Sequence, residues 1–178
     1  MSVSDPLRVL AISGSLRAAS VNSALLRALQ GAAVPPVRVA LWDRLGGLPV
    51  FSPDLEGPAT PETVTRFAAE VEAADAVVIA CPEYARTIPG GLKNAIDWLV
   101  SRDEIMHKPI ALLHASHRGD EMLGHLRRVL ETVSSRFLPD LFVRLPVAHL
   151  TAEARAGVLA SAETRDQLRE FLAGLGRG

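Results

Sequence analysis

Two short stretches of this chain concentrate residues that can do chemistry. In Ser13-Gly14-Ser15-Leu16-Arg17-Ala18-Ala19-Ser20-Val21-Asn22-Ser23, five short polar side chains, Ser13, Ser15, Ser20, Asn22 and Ser23, surround Arg17. The stretch lies between an apolar run and a helix-period segment, where unpaired backbone N–H groups and the helix dipole favour an anion. Arg17 adds a permanent charge suited to phosphate oxygens. The pattern is neither GxGxxG nor a P-loop with its lysine, so a monophosphate suits it better than a dinucleotide or a nucleoside triphosphate. A local reading competes: Ser20 or Asn22 caps the helix and Arg17 is solvated.

The second stretch, Cys81-Pro82-Glu83-Tyr84-Ala85-Arg86-Thr87-Ile88-Pro89-Gly90-Gly91, follows the apolar run Asp75-Ala76-Val77-Val78-Ile79-Ala80. That run is β-branched and unbroken, as in a parallel strand buried on both faces. Prolines and glycines then shape the backbone into a platform for a flat ligand, at the carboxyl end of a strand where open α/β sheets bind ligands. Leu92, Ile96, Leu99 and Val100 repeat behind it at helical spacing.

The elements that must position these loops alternate between strand and helix patterns, as in a doubly wound parallel sheet. Residues 7–12 form the first strand and residues 22–32 a helix with Leu25, Leu26 and Leu29 inward; residues 37–42 form a strand nearer an edge. Residues 43–60 are an irregular connection placed to face a ligand or partner. Thr60 caps a helix with Pro61 at its first position and a stripe of Val64, Phe67, Ala68 and Val71. Later come a strand over 109–114, a helix with Met122, Leu126, Val129, Leu130 and Val133 on one face, a strand within 140–149 and a terminal helix over 161–172, with 174–178 as a frayed tail.

Composition limits the possibilities. A chain of 178 residues that is 48% apolar reads as one domain over 1–178 with a single core. Nineteen basic and twenty acidic residues leave a net charge of −1, which argues against a broad polyanion-binding surface and against an acidic electron carrier. No nucleic-acid or membrane partner is expected. One cysteine forbids an internal disulfide, no secretory signal is visible, and the cytoplasm is the expected location. The five histidines show no metal-ligand spacing, so no metal site is expected. Cys81 reads as a small buried apolar residue, and Trp98 as packed core or interface. No Gly-x-Ser-x-Gly elbow supports a hydrolase.

Taken together, Ser13-Gly14-Ser15-Leu16-Arg17 with Ser20 and Asn22, then Pro82-Glu83-Tyr84, then Pro89-Gly90 and Leu92-Lys93-Asn94-Ala95-Ile96-Asp97-Trp98, resemble the NADPH-dependent FMN reductases of the flavodoxin-like fold, a family that includes quinone, azo-dye and chromate reductases. The resemblance implies a three-layer α/β/α sandwich with a five-stranded parallel sheet of order 2-1-3-4-5. It implies that Ser13, Ser15, Arg17, Ser20, Asn22 and Ser23 bind the FMN phosphate. Pro82, Glu83, Tyr84, Ala85 and Arg86 would lie against the isoalloxazine, and Tyr84 and Arg86 would border a pocket shared by the nicotinamide and the acceptor. It further implies NADPH or NADH as co-substrate, two-electron ping-pong transfer through FMN to a small acceptor (a flavin, quinone, azo compound or oxyanion), and a homodimer or homotetramer.

The chain also departs from that pattern. Ala85-Arg86 stands where many members have Asn, and His114-Ala115-Ser116-His117-Arg118-Gly119-Asp120 stands where many have a glycine-rich loop. Ser116, His117 and Arg118 are the flavin contacts expected there, the last two bringing positive charge near the flavin N1/O2 region. Two other readings are a flavodoxin-like one-electron carrier, which the near-neutral charge disfavours, and a flavin-free binding or regulatory descendant, which the altered third loop suggests.

Overall fold

The computed structural model describes residues 6–177. Five parallel strands, β1 (Arg8–Ser13), β2 (Arg38–Trp42), β3 (Ala76–Ala80), β4 (Ile110–His114) and β5 (Phe137–Arg144), form one sheet in the order β2-β1-β3-β4-β5. Alternation along each strand divides the core in two. Leu10 and Ile12 of β1, Val77 and Ile79 of β3, and Ile110 and Leu112 of β4 pack with α2 (Glu62–Ala73), α3 (Gly90–Asp97) and α5 (Asp120–Val133). The intervening Val9, Ala11, Val78, Ala111 and Leu113 pack on the other face with α1 (Val21–Ala32) and α7 (Ala162–Leu175). The sheet is therefore covered on both faces, and its carboxyl edge is left to the loops.

Several boundaries differ from the sequence expectation. The Thr60 hydroxyl caps nothing; α2 starts at Glu62 with Pro61 as its unassisted N-cap. After Asp97 the chain tightens into i+3 bonds from Leu99 to Ile96 and from Val100 to Asp97, which turns Val100 outward at 60% exposure and removes it from the buried stripe. Strand β5 occupies 137–144 and not 140–149. Its ladder shifts register between the Ile110–Phe137 and Leu112–Phe142 pairs, where Pro139 on this edge strand removes an N–H. The terminal helix runs on to Leu175 because Phe171, Leu172 and Leu175 are all buried, so Gly174 and Leu175 are helical and not frayed. Two further helices were not foreseen: the one-turn α4 (Asp103–Met106), and α6 (Ala152–Ala160), which buries no residue and so carries no periodic stripe.

Residues 43–60 are irregular but not loose. They contain three single 3-10 turns. The Asn94 amide donates to the Pro49 carbonyl (2.9 Å) and accepts from the Phe51 N–H (2.8 Å), while Trp98 Nε1–H donates to the same Pro49 carbonyl at 2.8 Å. Phe51 then meets the Trp98 ring edge-on, with centroids 5.1 Å apart. Asn94 and Trp98 thereby fasten this connection to α3.

One close approach brings β1 and β3 together at the carboxyl edge. The Gly14 N–H donates to the Ala80 carbonyl at 2.9 Å, and a Cβ built on Gly14 would lie 2.6 Å from the Cys81 Cβ. No side chain fits there without moving β1 away from β3. Gly14→Ala should therefore lower the unfolding free energy by about 1–3 kcal/mol, read as a lower urea midpoint at unchanged m-value. An unchanged midpoint would show that the two strands separate without penalty.

Candidate functional site

Three loops and the chain beyond β5 enclose a cavity of about 350 Å³ at the carboxyl edge of the sheet. From the β1–α1 turn it is lined by Ser15, Arg17, Ser20, Val21 and Asn22. The turn is braced by its own hydroxyls. Ser20 Oγ accepts from Ser23 N–H at 3.2 Å as the N-cap of α1, and Ser15 Oγ accepts from Arg17 N–H at 3.3 Å. The Ser13 and Ser23 hydroxyls bond to each other at 2.8 Å, both buried behind the turn and outside the cavity lining. The α1 N-terminus therefore faces the cavity with first-turn amides that have no intrahelical partner. Two side chains remain incomplete: Asn22 is buried with its Oδ1 unpartnered, and exposed Arg17 has no acidic partner among the described residues.

The β3–α3 loop contributes Cys81, Pro82, Glu83 and Tyr84. Burial pushes the Cys81 thiol up to about 12, and its sulfur lies 3.2 Å from Met122 Sδ. It stays protonated near neutral pH and is no nucleophile. Beyond Tyr84 the chain reverses in two residues: Tyr84 and Thr87 exchange N–H···O bonds of 3.1 and 3.0 Å, with Ala85 at φ 48° and Arg86 at φ 64°. This is the mirror-image turn that suits Asn-Gly, and each L-residue with a side chain in it costs about 1–2 kcal/mol. The turn is held from outside. Arg86 forks onto Glu121 of α5, with Nε 2.6 Å from Oε2, and Thr87 Oγ1 lies 3.0 Å from His125 Nδ1. The Arg86 hydrogen bond in turn keeps the Glu121 carboxyl below its usual range. Neither Ala85 nor Arg86 lines the cavity; Arg86 is a strut between the loop and α5.

The last residue of β4, His114, and the loop after it, with Ala115, Ser116, Arg118 and Gly119, form a third side, and Ala148 closes the wall from beyond β5. Ser116 and Arg118 thus stand where the sequence suggested. His117 does not line the cavity; its exposed ring meets His149 edge-on at 5.8 Å. The lining residues that sequence reasoning missed are Val21, Cys81, His114, Ala115, Gly119 and Ala148. His114 had one available signal, its place as the last residue of a buried strand; Ala148 had none.

A larger depression of about 600 Å³ lies at the opposite edge, among Glu72, Arg102, Glu104 and Lys108. Its cations are already engaged: Arg102 with Glu104, and Lys108 with the carbonyls of Glu72 and Ala74 at the end of α2. Among the described residues no group of His, Cys, Asp and Glu is arranged to hold a metal, and no helix is long and apolar enough to cross a membrane.

Residues 7–150 match a family model described as NADPH-dependent FMN reductase. An NAD(P)H-dependent FMN reductase of Pseudomonas aeruginosa is 42% identical over 116 residues, 64% of this chain and 62% of the relative, so the match spans less than two thirds of that protein. A probable NADPH:quinone oxidoreductase of Oryza sativa subsp. japonica is 35% identical over 180 residues, covering 95% of this chain and 90% of its own. Among solved structures, the flavoenzyme NAD(P)H:(acceptor) oxidoreductase FerB of Paracoccus denitrificans has a TM-score of 0.75 at 29% identity, with 94% of each chain covered.

The left-handed pair at 85–86 generates a stability prediction. Asn tolerates this conformation better than Ala, so Ala85→Asn should raise the unfolding free energy by about 1 kcal/mol. Thermal melts of the two proteins check it; an unchanged or lower midpoint would mean that the turn is not strained.

Proposed function

This chain belongs to the NADPH-dependent FMN reductase family, and from that premise we propose that it is an NAD(P)H-dependent oxidoreductase whose residues 1–178 form one FMN-binding domain serving a small acceptor such as a quinone. The observation that carries the reading is the meeting, in one cavity, of an anion-ready helix N-terminus with the wall formed by Pro82, Glu83 and Tyr84. The residues present fit the cofactor. Arg17 has no acidic partner among the described residues and stands beside the first-turn amides of α1, and these are the donors a phosphate monoester requires; Asn22 can add only its side-chain N–H, because its unpartnered Oδ1 is an acceptor. FMN, when bound, supplies the redox chemistry.

The side chains have supporting tasks in this reading. Ser15, Ser20, Arg17 and Asn22 hold the phosphate, and Ser13 and Ser23 fix the turn from behind. Pro82, Glu83 and Tyr84 bound the ring, with Tyr84 half exposed at the rim where a nicotinamide or a flat acceptor would enter. Ser116 and Arg118 line the cavity from the loop after β4, and Arg118 and Arg17 favour anionic partners. The protein supplies position and electrostatics in this reading, and the buried Cys81 thiol, held protonated, supplies no nucleophile. A single cavity must admit the two substrates in turn, which supports ping-pong order. A homodimer or homotetramer in the cytoplasm completes the reading, supported by Leu16 and Val50, which are 59% and 83% exposed beside the β1–α1 turn and in the 43–60 connection.

Two measurements test it. Arg17→Ala should weaken FMN binding by about 1.5–3 kcal/mol, the range for a charge-assisted hydrogen bond, while leaving the urea midpoint in place; equal affinity would return Arg17 to the solvent. Without oxygen, wild-type protein loaded with FMN should oxidise about one equivalent of NADPH or NADH on its own and turn over only when a quinone is supplied, with parallel double-reciprocal lines. Uptake of FMN without oxidation of either nicotinamide would sink the reductase assignment.

A further inference from the structure

The loop after β4 is where this chain departs most from the glycine-rich pattern, and its geometry centres on one imidazole. His114 ends β4, is 2% exposed and lines the cavity. Its Nε2 lies 2.5 Å from the Arg118 carbonyl oxygen. An oxygen of this kind only accepts, so Nε2 carries the hydrogen and donates. Nδ1 is then a bare lone pair, and it is buried with no partner. Gly119, at φ 101°, presses against the same ring: a Cβ built there would lie 2.9 Å from Cε1 and Nε2, and 3.9 Å from the Glu83 Cβ. Two more bonds complete the loop. Ser116 Oγ accepts from the Arg118 N–H at 3.1 Å, and Arg144 reaches the His117 carbonyl at 3.5 Å while pairing with Asp120.

We propose that His114 is a positioning residue for the FMN site: its neutral, Nε2-protonated imidazole latches the Arg118 carbonyl, holds residues 116–119 against the 82–84 wall, and releases them when protonated. The latch does here, through a side chain, what a glycine-rich loop would do through close backbone packing. The inference rests on the reading that FMN occupies the cavity. A second proton on the ring would point an N–H into a buried position with no acceptor, and would bury a charge. Burial holds His114 below the ordinary histidine range. The Arg118 carbonyl, Asp120 and Glu83 favour the charged ring, and Arg144 opposes it. A folded value below the unfolded one means that closure is fully supported above the unfolded pKa and is lost as the pH falls through the folded one. FMN affinity should therefore weaken on the acid side.

The test compares FMN titrations of wild type, His114→Gln and His114→Leu, followed by flavin fluorescence in a pH series from about pH 8 down to about pH 4.5, which starts above the ordinary histidine pKa and runs well below it. Gln places an amide N–H as many bonds from Cα as Nε2 but does not titrate. It should bind FMN within about threefold of wild type at the highest pH and show a several-fold smaller acid loss, the phosphate's own titration being common to both proteins. Leu should bind about tenfold more weakly at the highest pH, the scale of one lost hydrogen bond. Nitrogen NMR of wild type without FMN should show the Nε2–H tautomer at the highest pH. Wild-type affinity in His114→Leu, or an unaltered acid loss in His114→Gln, would overturn the latch while leaving FMN binding intact. If the Leu variant does not fold, the Gln profile and the tautomer decide alone. Wild type that takes up no FMN at any pH in the series would overturn the cofactor reading and the latch with it.

Discussion

The contact between Gly14 and Cys81 is the constraint on which the site depends. Strands β1 and β3 are neighbours in the sheet although β2 intervenes in the chain, and their loops leave the carboxyl edge side by side only because nothing projects from Gly14. At that edge β1 leads to α1 on one face and β3 to α3 on the other. The connections diverge there, as at the switch point of any open doubly wound sheet, and a crevice opens between them. An anion-ready helix start and a proline-stiffened wall then share one cavity without any residue having to reach across the molecule.

The loops at this edge of the sheet are fixed by bonds made away from the cavity. Asn94 and Trp98 fasten residues 49–51 onto α3, and Arg86 and Thr87 fasten the 84–87 turn onto α5. The second of these ties holds a turn that its own residues disfavour, since neither Ala85 nor Arg86 prefers a positive φ. Exposed ion pairs contribute little to global stability. Their value here is local: the β3–α3 loop keeps one conformation, and a ligand meeting it has less to order.

The electrostatics of the cavity favour binding over side-chain acid–base chemistry. The thiol in its lining is held protonated by burial, and the imidazole in its lining is held neutral for the same reason. What remains charged is at the rim: Arg17 and Arg118 against Glu83, with the positive end of α1 behind. Such a charge arrangement suits an anionic ligand better than side-chain acid–base chemistry, in keeping with a member of the NADPH-dependent FMN reductase family, where a cofactor carries the electrons.

The alternation of buried strands with helical stripes was legible in the sequence, and so were both chemical loops, because strand burial and loop chemistry are written in residues close together in the chain. Ser15, Arg17, Ser20 and Asn22 could be assigned to one turn, and Pro82, Glu83 and Tyr84 to another, before any contact was known, and the structure gathers all seven into the cavity. The destinations of long side chains were not legible. Arg86 reads as a pocket residue by its place in the loop, yet it turns to Glu121, thirty-five positions away. His114 reads as a strand end until Arg118 and Gly119 fold back onto its ring. The register shift of β5, the stripe-free helix α6 and the arrival of Ala148 at the cavity likewise leave no local mark. Periodicity specifies which face of an element is buried, whereas partner choice between distant segments is decided only when packing brings them within hydrogen-bonding distance.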